Sequence, residues 1–290
     1  MNISKSLRTA LTILLAILLC CGCAAKTMPP SPTEAPNLRP SPEPASSESP
    51  APYSGPDYGS IITESFAGFD GQYSYSFHHY GADVRFANES KKMKSASVIK
   101  LFIMEYAYSR VVAGELKTDD QISGQTLASL IEAMITVSDN NATNILIEHF
   151  TMDKLNDFFV SCQYTDTVLQ RKMLDTAAVA RGEENYTSAS DVTAFLDKLY
   201  ANKDNFPYNE MLDVMKRQKI ATKLRRDMPA GIEMASKTGE LSDTENDVAL
   251  VFTSNGDYAI VCLTSGGTAT AARNAMAVTC RKLYDTLLGE

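Results

Sequence analysis

The stretch Ser95–Met104, SASVIKLFIM, changes character at its midpoint. Small residues come first, and then a helical pattern runs to Val112, apolar at Val98, Leu101, Phe102, Met104 and Tyr106 and on nearly every side. A helix apolar all round belongs in the middle of a domain. Lys100 lies inside that pattern, where a solvated ammonium has no place. It follows Ser97 by three positions, and residues so spaced near a helix start share one face, with Cβ atoms about 5–6 Å apart. A serine hydroxyl is a poor nucleophile until a base takes its proton. A lysine can be that base only where burial or a second cation destabilises its own proton. The positive field of a helix N-terminus favours the oxyanion that such an attack creates.

Outward from this helix, the chain has sheet material at both ends and helices between. Gly71 to Asn88, GQYSYSFHHYGADVRFAN, alternates aromatic and β-branched residues with polar ones around a Tyr-Gly-Ala-Asp turn, which predicts a hairpin. Helices are predicted over Gln125–Val137, Ala142–Phe150, Thr151–Cys162, Ser188–Tyr200 and Tyr208–Gln218, the fourth of them begun by the capping residues of TSASD. Val168–Ser188 has no clean period and reads as a long loop, and loops of that length inside a domain tend to be functional. IEMASKTG, DVALVFTSNG and YAIVCLTSGG are strand-like, with a turn at Ser254–Asp257, and Ala271–Leu288 is a closing helix. The two ends therefore meet in one antiparallel sheet flanked by helices, with an all-helical lobe beside it.

The first residues read as an address. Lys5 and Arg8 precede an apolar run from Ala10 to Cys21, too short for a membrane span of roughly 18 or more residues. The run ends in LLCCGCAA, where Gly22-Cys23 resembles the lipobox of bacterial lipoproteins. Cys23 is the expected lipidated residue, Cys21 the second choice, and Cys20 stands where that box has leucine; cleavage without lipid is the alternative. Residues 1–23 are thus a signal segment and 24–58 a disordered linker, dense in Pro, Ser and Glu and almost empty of large apolar groups. Residues 59–290 form the folded domain, enough for one well-cored unit. The expected location is extracytoplasmic, tethered to the outer face of a bacterial membrane by the N-terminal anchor only.

Composition narrows the chemistry. Net charge is −8 with pI near 5.0, which argues against a nucleic-acid partner. Histidine is confined to His78, His79 and His149. Adjacent strand residues point to opposite faces, so His78 and His79 cannot chelate one metal, and His149 reads as a helix-end residue. No metal or other cofactor is expected, and a nucleophile here needs a base other than histidine. Cys162, Cys262 and Cys280 make an odd set without C-x-x-C spacing, which leaves one disulfide among them open. The sequence does not indicate an oligomeric state.

An isolated S-x-x-K is weak evidence, but Ser138-Asp139-Asn140 and Lys237-Thr238-Gly239 follow in order. With these elements and their flanks, SVIKLFIM and MITVSDNNATNILI, the chain resembles the class A β-lactamases and related transpeptidases and carboxypeptidases from about Gly59 onward. The resemblance implies that Ser97 attacks the carbonyl of a β-lactam or a D-alanyl amide and becomes acylated. By the same resemblance Lys100 takes or relays the proton, Ser138 passes one to the leaving nitrogen, and Asn140 holds the substrate's side-chain amide and Lys100. It further implies that Lys237 and Thr238 bind the substrate carboxylate, that Lys237 lowers the proton affinity of Lys100, that Gly239 leaves room for substrate along the strand, and that the backbone N–H groups of Ser97 and Glu240 form the oxyanion hole. The implied substrate is a β-lactam or, alternatively, a cell-wall peptide, handled by a D-alanyl peptidase-like enzyme or a slow or non-hydrolytic penicillin-binding protein.

One departure stands out. Class A enzymes hydrolyse the acyl-enzyme with a water activated by a glutamate in the loop after the SDN element. Aligning TVLQRKM with that loop puts Met173 at the glutamate's place, with Asp175, Glu183 and Glu184 as the nearest acids. Acylation is the expected half of the mechanism, and deacylation lacks its base.

Overall fold

The computed structural model describes residues 53–289; the signal segment, Cys23 and most of the linker lie outside the described residues. Helix α1 (Tyr58–Ser65) opens the domain, and its cap Asp57 accepts the Ser60 N–H at 3.0 Å. Strands β1 (Gln72–His79) and β2 (Val84–Ala87) form the expected hairpin. The short strand β3 (Met93–Lys94) leads through a 3₁₀ turn, Ala96–Ile99, into α2 (Lys100–Val112). A small hairpin, β4 (Gln121–Ile122) with β5 (Gln125–Thr126), precedes α3 (Leu127–Thr136), α4 (Asn140–Phe150) and α5 (Met152–Ser161). The following loop contains α6 (Thr176–Ala180) and ends in β6 (Tyr186–Thr187), which pairs with β3. Then come α7 (Ala189–Ala201), α8 (Tyr208–Lys216), β7 (Glu233–Leu241), β8 (Thr244–Phe252), β9 (Tyr258–Ser265) and α9 (Ala269–Leu288).

The main sheet is antiparallel with order β2-β1-β9-β8-β7, so the N-terminal hairpin docks on the C-terminal strands. Register runs from Gln72↔Ser265 to His79↔Tyr258 between β1 and β9. Both faces are covered. Ala249, Val251, Ile260 and Cys262 pack with α1 and α9 in one core, whereas Val248, Leu250, Val261 and Leu263 pack with the helical region in the other. This explains why β8 and β9 read as continuous apolar runs: alternate residues enter different cores. His78 and His79 obey the same alternation. His78 Nδ1 lies 2.8 Å from Asp197 Oδ1 on α7, while His79 meets the Tyr58 ring of α1 edge-on.

Helix α2 is the axis of the helical region, and Lys100 to Tyr108 are all buried. Two features differ from the sequence reading. The Ser97 stretch starts as a 3₁₀ turn, because Ser97 sits where the chain is still turning out of β3 with Ala96 at φ 45°. Helix α1 was not expected; its short apolar face gains stability only against α9 and the hairpin. Asp139 caps α4 by accepting the Ala142 N–H at 2.7 Å. The cysteines Cys162, Cys262 and Cys280 are all unpaired.

Candidate active site

Three segments converge on the N-terminal end of α2. Gly239 explains how β7 comes so near. A Cβ at that position would lie 3.0 Å from Ala96 Cβ, 3.0 Å from Ser95 O and 3.1 Å from Ser97 N. Glycine here lets the strand press against the Ser95–Ser97 turn, a role other than the expected one of clearing space for substrate. The contact sets the Glu240 peptide beside that of Ser97. Asn246 on β8 fixes the same turn from beneath, donating from Nδ2 to Lys94 O at 2.9 Å and Ser95 O at 3.1 Å while its Oδ1 accepts from Thr264 N. Asn246 belongs to no motif, because the sheet alone brings it to Ser95.

Lys100 is wholly buried. Its Nζ lies 2.7 Å from Ser138 O, 3.2 Å from Ser138 Oγ and 2.8 Å from Asn140 Oδ1. Ser97 is not among these partners, although the spacing suggested a direct contact; the positions around Nζ are occupied from the SDN segment. Lys237 Nζ reaches the same hydroxyl, Ser138 Oγ, at 3.0 Å and Thr238 O at 2.7 Å. Ser138 therefore bridges two lysines, and it is held for this in a left-handed conformation, φ 59°, uncommon for a residue with a Cβ.

Burial pulls the proton affinity of Lys100 down to about 7, against an opposing pull from the Asp139 charge. Lys237 is pushed well below the ordinary lysine range, by burial first and then by the charge of Lys100. Desolvation is thus the largest cause at both amines, and repulsion between the two lysines adds to it. A lysine so placed is neutral often enough near pH 7 to accept a proton.

Ser97 and Asn140 lie on the wall of a cleft of about 310 Å³, with Met173, Asp175 and Glu184 from the long loop and Glu240 from β7. Lys94 and Asp243, 2.7 Å apart, also line it. A half-buried serine and strand residues on one cleft wall, with a buried lysine of lowered proton affinity behind Asn140, form an arrangement suited to acyl transfer.

The sequence profile of the beta-lactamase enzyme family matches residues 59–287. The chain belongs to the beta-lactamase enzyme family. A β-lactamase of Bacillus licheniformis is 27% identical over 156 residues, 49% of this chain and 48% of that one, so the match spans about half the length of that relative. Among solved structures, a β-lactamase from Sphaerobacter thermophilus superposes with TM-score 0.70 at 23% identity, covering 80% of this chain and 97% of that one. An ancestral class A β-lactamase gives 0.72 at 22% identity, covering 79% and 99%. The fold is that of the class A enzymes.

In this β-lactamase-family chain the long loop is held from two sides. Arg171 and Glu184, both buried, are joined by Nε–Oε1 at 2.8 Å and Nη2–Oε1 at 2.7 Å, and Glu184 Oε1 also accepts the Asn185 N–H. Asn144 on α4 grips Met173, accepting its N–H at 2.8 Å and donating to its carbonyl at 3.0 Å. Asn140 and Asn144 are one helical turn apart, so the helix that reaches Lys100 also positions Met173. The three nearby acids have other tasks. Glu184 holds Arg171, Asp175 caps α6 by accepting the Ala178 N–H at 2.9 Å, and Glu183 pairs with Arg181 at 2.8 Å. Glu184→Ala leaves Arg171 buried without its carboxylate and is expected to destabilise the fold by about 3–5 kcal/mol. Urea unfolding measures this, and a loss below about 1 kcal/mol would show that the pair is dispensable.

Beside the motif residues lies a cluster that no motif signalled. Lys223 is fully buried, with Glu240 Oε1 at 2.9 Å and Glu245 Oε2 at 2.9 Å. Arg273 on α9 lies 2.7 Å from Glu245 Oε1 and 3.4 Å from Glu240 Oε1. Asp247, opposite Thr238 on β8, is buried, and burial raises its carboxyl to about 6 against the opposing pull of Lys223, the Leu224 N–H and Lys237.

Proposed function

We propose that this protein opens β-lactam amides through an acyl-serine intermediate, with acylation the efficient half of the reaction. The observation that carries this is Ser138 Oγ shared between two buried lysines, one lowered to about 7, beside the cleft that Ser97 lines. Ser97 Oγ forms a bond to the carbonyl carbon, and its proton passes to Lys100. The C–N bond of the lactam breaks, and Ser138 delivers a proton to the leaving nitrogen, since a hydroxyl can accept from one side while donating to the other. The N–H groups of Ser97 and Glu240 stabilise the oxyanion. Asn140 receives the substrate's side-chain amide, and Lys237 with Thr238 its carboxylate. Water then releases the acid from Ser97. Met173, apolar and buried in the loop beside Asn140, supplies no base for that step. It supports a second reading, a penicillin-binding protein or D-alanyl peptidase-like enzyme whose acyl-serine is long-lived on β-lactams.

Incubating the full-length protein with a chromogenic cephalosporin and a fluorescent penicillin decides between them. Rapid turnover supports hydrolysis, stoichiometric label without turnover supports the second reading, and neither label nor turnover excludes acyl-serine chemistry. The pH dependence is set by the base. Lys100 accepts a proton only when neutral, so the acylation rate rises with pH, is half-maximal near pH 7 and falls roughly tenfold for each unit well below that. Stopped-flow acylation across pH measures this; a flat profile or a midpoint near the ordinary lysine value would remove Lys100 as the base.

The N-terminal pattern, with Lys5, Arg8, the apolar run and Gly22-Cys23, supports a lipid anchor at Cys23 and an extracytoplasmic location, the linker holding the catalytic domain clear of the membrane.

A further inference from the structure

Strand β7 is an edge of the main sheet, and the Ser97 turn lies against it. Glu240 is opposite Glu245, whose own N–H and C=O are bonded to Thr264 on β9. Opposed residues of an antiparallel pair turn their main-chain groups toward each other or both outward, so the Glu240 N–H looks out from the free edge. Ser97 and Glu240 both line the cleft. The peptide that carries this N–H joins Gly239 to Glu240, and it is trans, so its carbonyl points the other way. That oxygen, Gly239 O, accepts from Lys223 Nζ at 3.2 Å. Lys223 Nζ also donates to Glu240 Oε1 at 2.9 Å. One fully buried amine thus grips both the peptide oxygen and the side chain of the residue that presents the N–H. Glu245 Oε2 lies within ion-pair distance of it, 2.9 Å, without accepting a hydrogen bond. The Lys223 main chain is itself fixed to β8, because the next N–H, that of Leu224, donates to Oδ2 of buried Asp247 at 3.0 Å.

We infer that Lys223 is a positioning residue for acyl transfer: by holding Gly239 O and the Glu240 carboxylate it fixes the Gly239–Glu240 peptide with its N–H outward, as a donor to the oxyanion formed at Ser97. This rests on the acyl-serine reading above and says how one half of its oxyanion site is kept in place. Glycine lets this peptide turn over at small steric cost. Turning it over takes Gly239 O away from Lys223 and leaves a buried donor unmatched. A hydrogen bond on the carbonyl also polarises the peptide, which makes its N–H the stronger donor. Lys223 is fully buried, so it acts through the peptide and not by touching the substrate.

The test follows acylation of the full-length wild type and of Lys223→Met by a penicillin and by its methyl ester. A range of concentrations separates the rate at saturation from the dissociation constant of the encounter complex. Methionine keeps much of the length of the side chain and removes the donor. The saturating rate is expected to fall roughly ten- to a hundredfold, less than outright loss of an oxyanion donor, by the same factor for both compounds and with the dissociation constant unchanged. The infrared stretch of the acyl carbonyl on Ser97 is expected to move to higher wavenumber, the mark of a weaker hydrogen bond. An unchanged rate overturns the clamp. So does a loss confined to the acid or to the dissociation constant, which would assign Lys223 to the substrate carboxylate. Where urea unfolding shows the single variant unstable, the double variant Lys223→Met with Glu245→Gln removes the buried carboxylate left without its lysine, and the same results decide. A crystal structure of the acylated wild type needs no variant: the acyl carbonyl is expected on the Glu240 N–H with Gly239 O still on Lys223, and a Gly239–Glu240 peptide turned over overturns the clamp. Absence of label from both compounds in the wild type overturns the acyl-serine reading itself.

Discussion

Ser97→Ala takes up no covalent label from a fluorescent penicillin, a loss of at least about a thousandfold in acylation rate, while the protein stays folded. The argument is local. Ser97 lies on the cleft wall, with its backbone N 3.1 Å from where a Cβ on Gly239 would stand, beside the strand that carries Glu240. Removing the Ser97 hydroxyl leaves Lys100, Ser138 and Lys237 in their mutual contacts. The side chain is half-buried and small, so the stability change should stay within about 0.5 kcal/mol. Intact-mass spectrometry after incubation gives the result directly. Label retained at wild-type stoichiometry would place the nucleophile elsewhere, with Ser138 and the cleft residue Ser242 the next to test.

The second large effect runs the other way. Met173→Glu should shorten the lifetime of the acyl-enzyme by roughly a hundred- to ten-thousandfold, the range a positioned general base supplies. Both backbone hydrogen bonds from Asn144 to residue 173 are independent of its side chain, so the substitution keeps the position that Met173 holds on the cleft wall. A carboxylate there stands in the cleft that Asn140 also lines, and the Asn140 amide offsets part of the cost of burying it. The half-life of the fluorescent label in wild type and variant measures the effect. An unchanged half-life, with the variant folded and acylated at the normal rate, would falsify the assignment of this position to water activation.

The parts of the site legible in the sequence are those whose spacing is local. Ser97 and Lys100 share a turn, Ser138-Asp139-Asn140 ends one helix and begins another, and Lys237-Thr238-Gly239 lies in one strand; each pattern is a property of a few consecutive residues. The buried helix α2 and the apolar strands β8 and β9 were legible for the same reason. The loop between α5 and α7 reads in the sequence only as irregular, because α6 is short and depends on the Asp175 cap, and because Arg171 and Glu184 meet across the loop and not along it.

By itself the sequence determined the fold family, the candidate nucleophile Ser97 with Lys100 one turn on, and the absence of a glutamate at position 173, since each follows from residue identity in a short window. Only the tertiary structure decided what those residues face. Ser138, and not Ser97, bridges the two lysines, because the turn after α3 is folded back over the end of α2. Desolvation inside that closure lowers Lys100, a quantity that depends on how much protein surrounds the amine and not on its neighbours in the chain. Sheet pairing and the docking of α9 bring Glu240, Glu245, Lys223 and Arg273 into one cluster, so the charge of the cleft wall became visible only when distant segments were side by side.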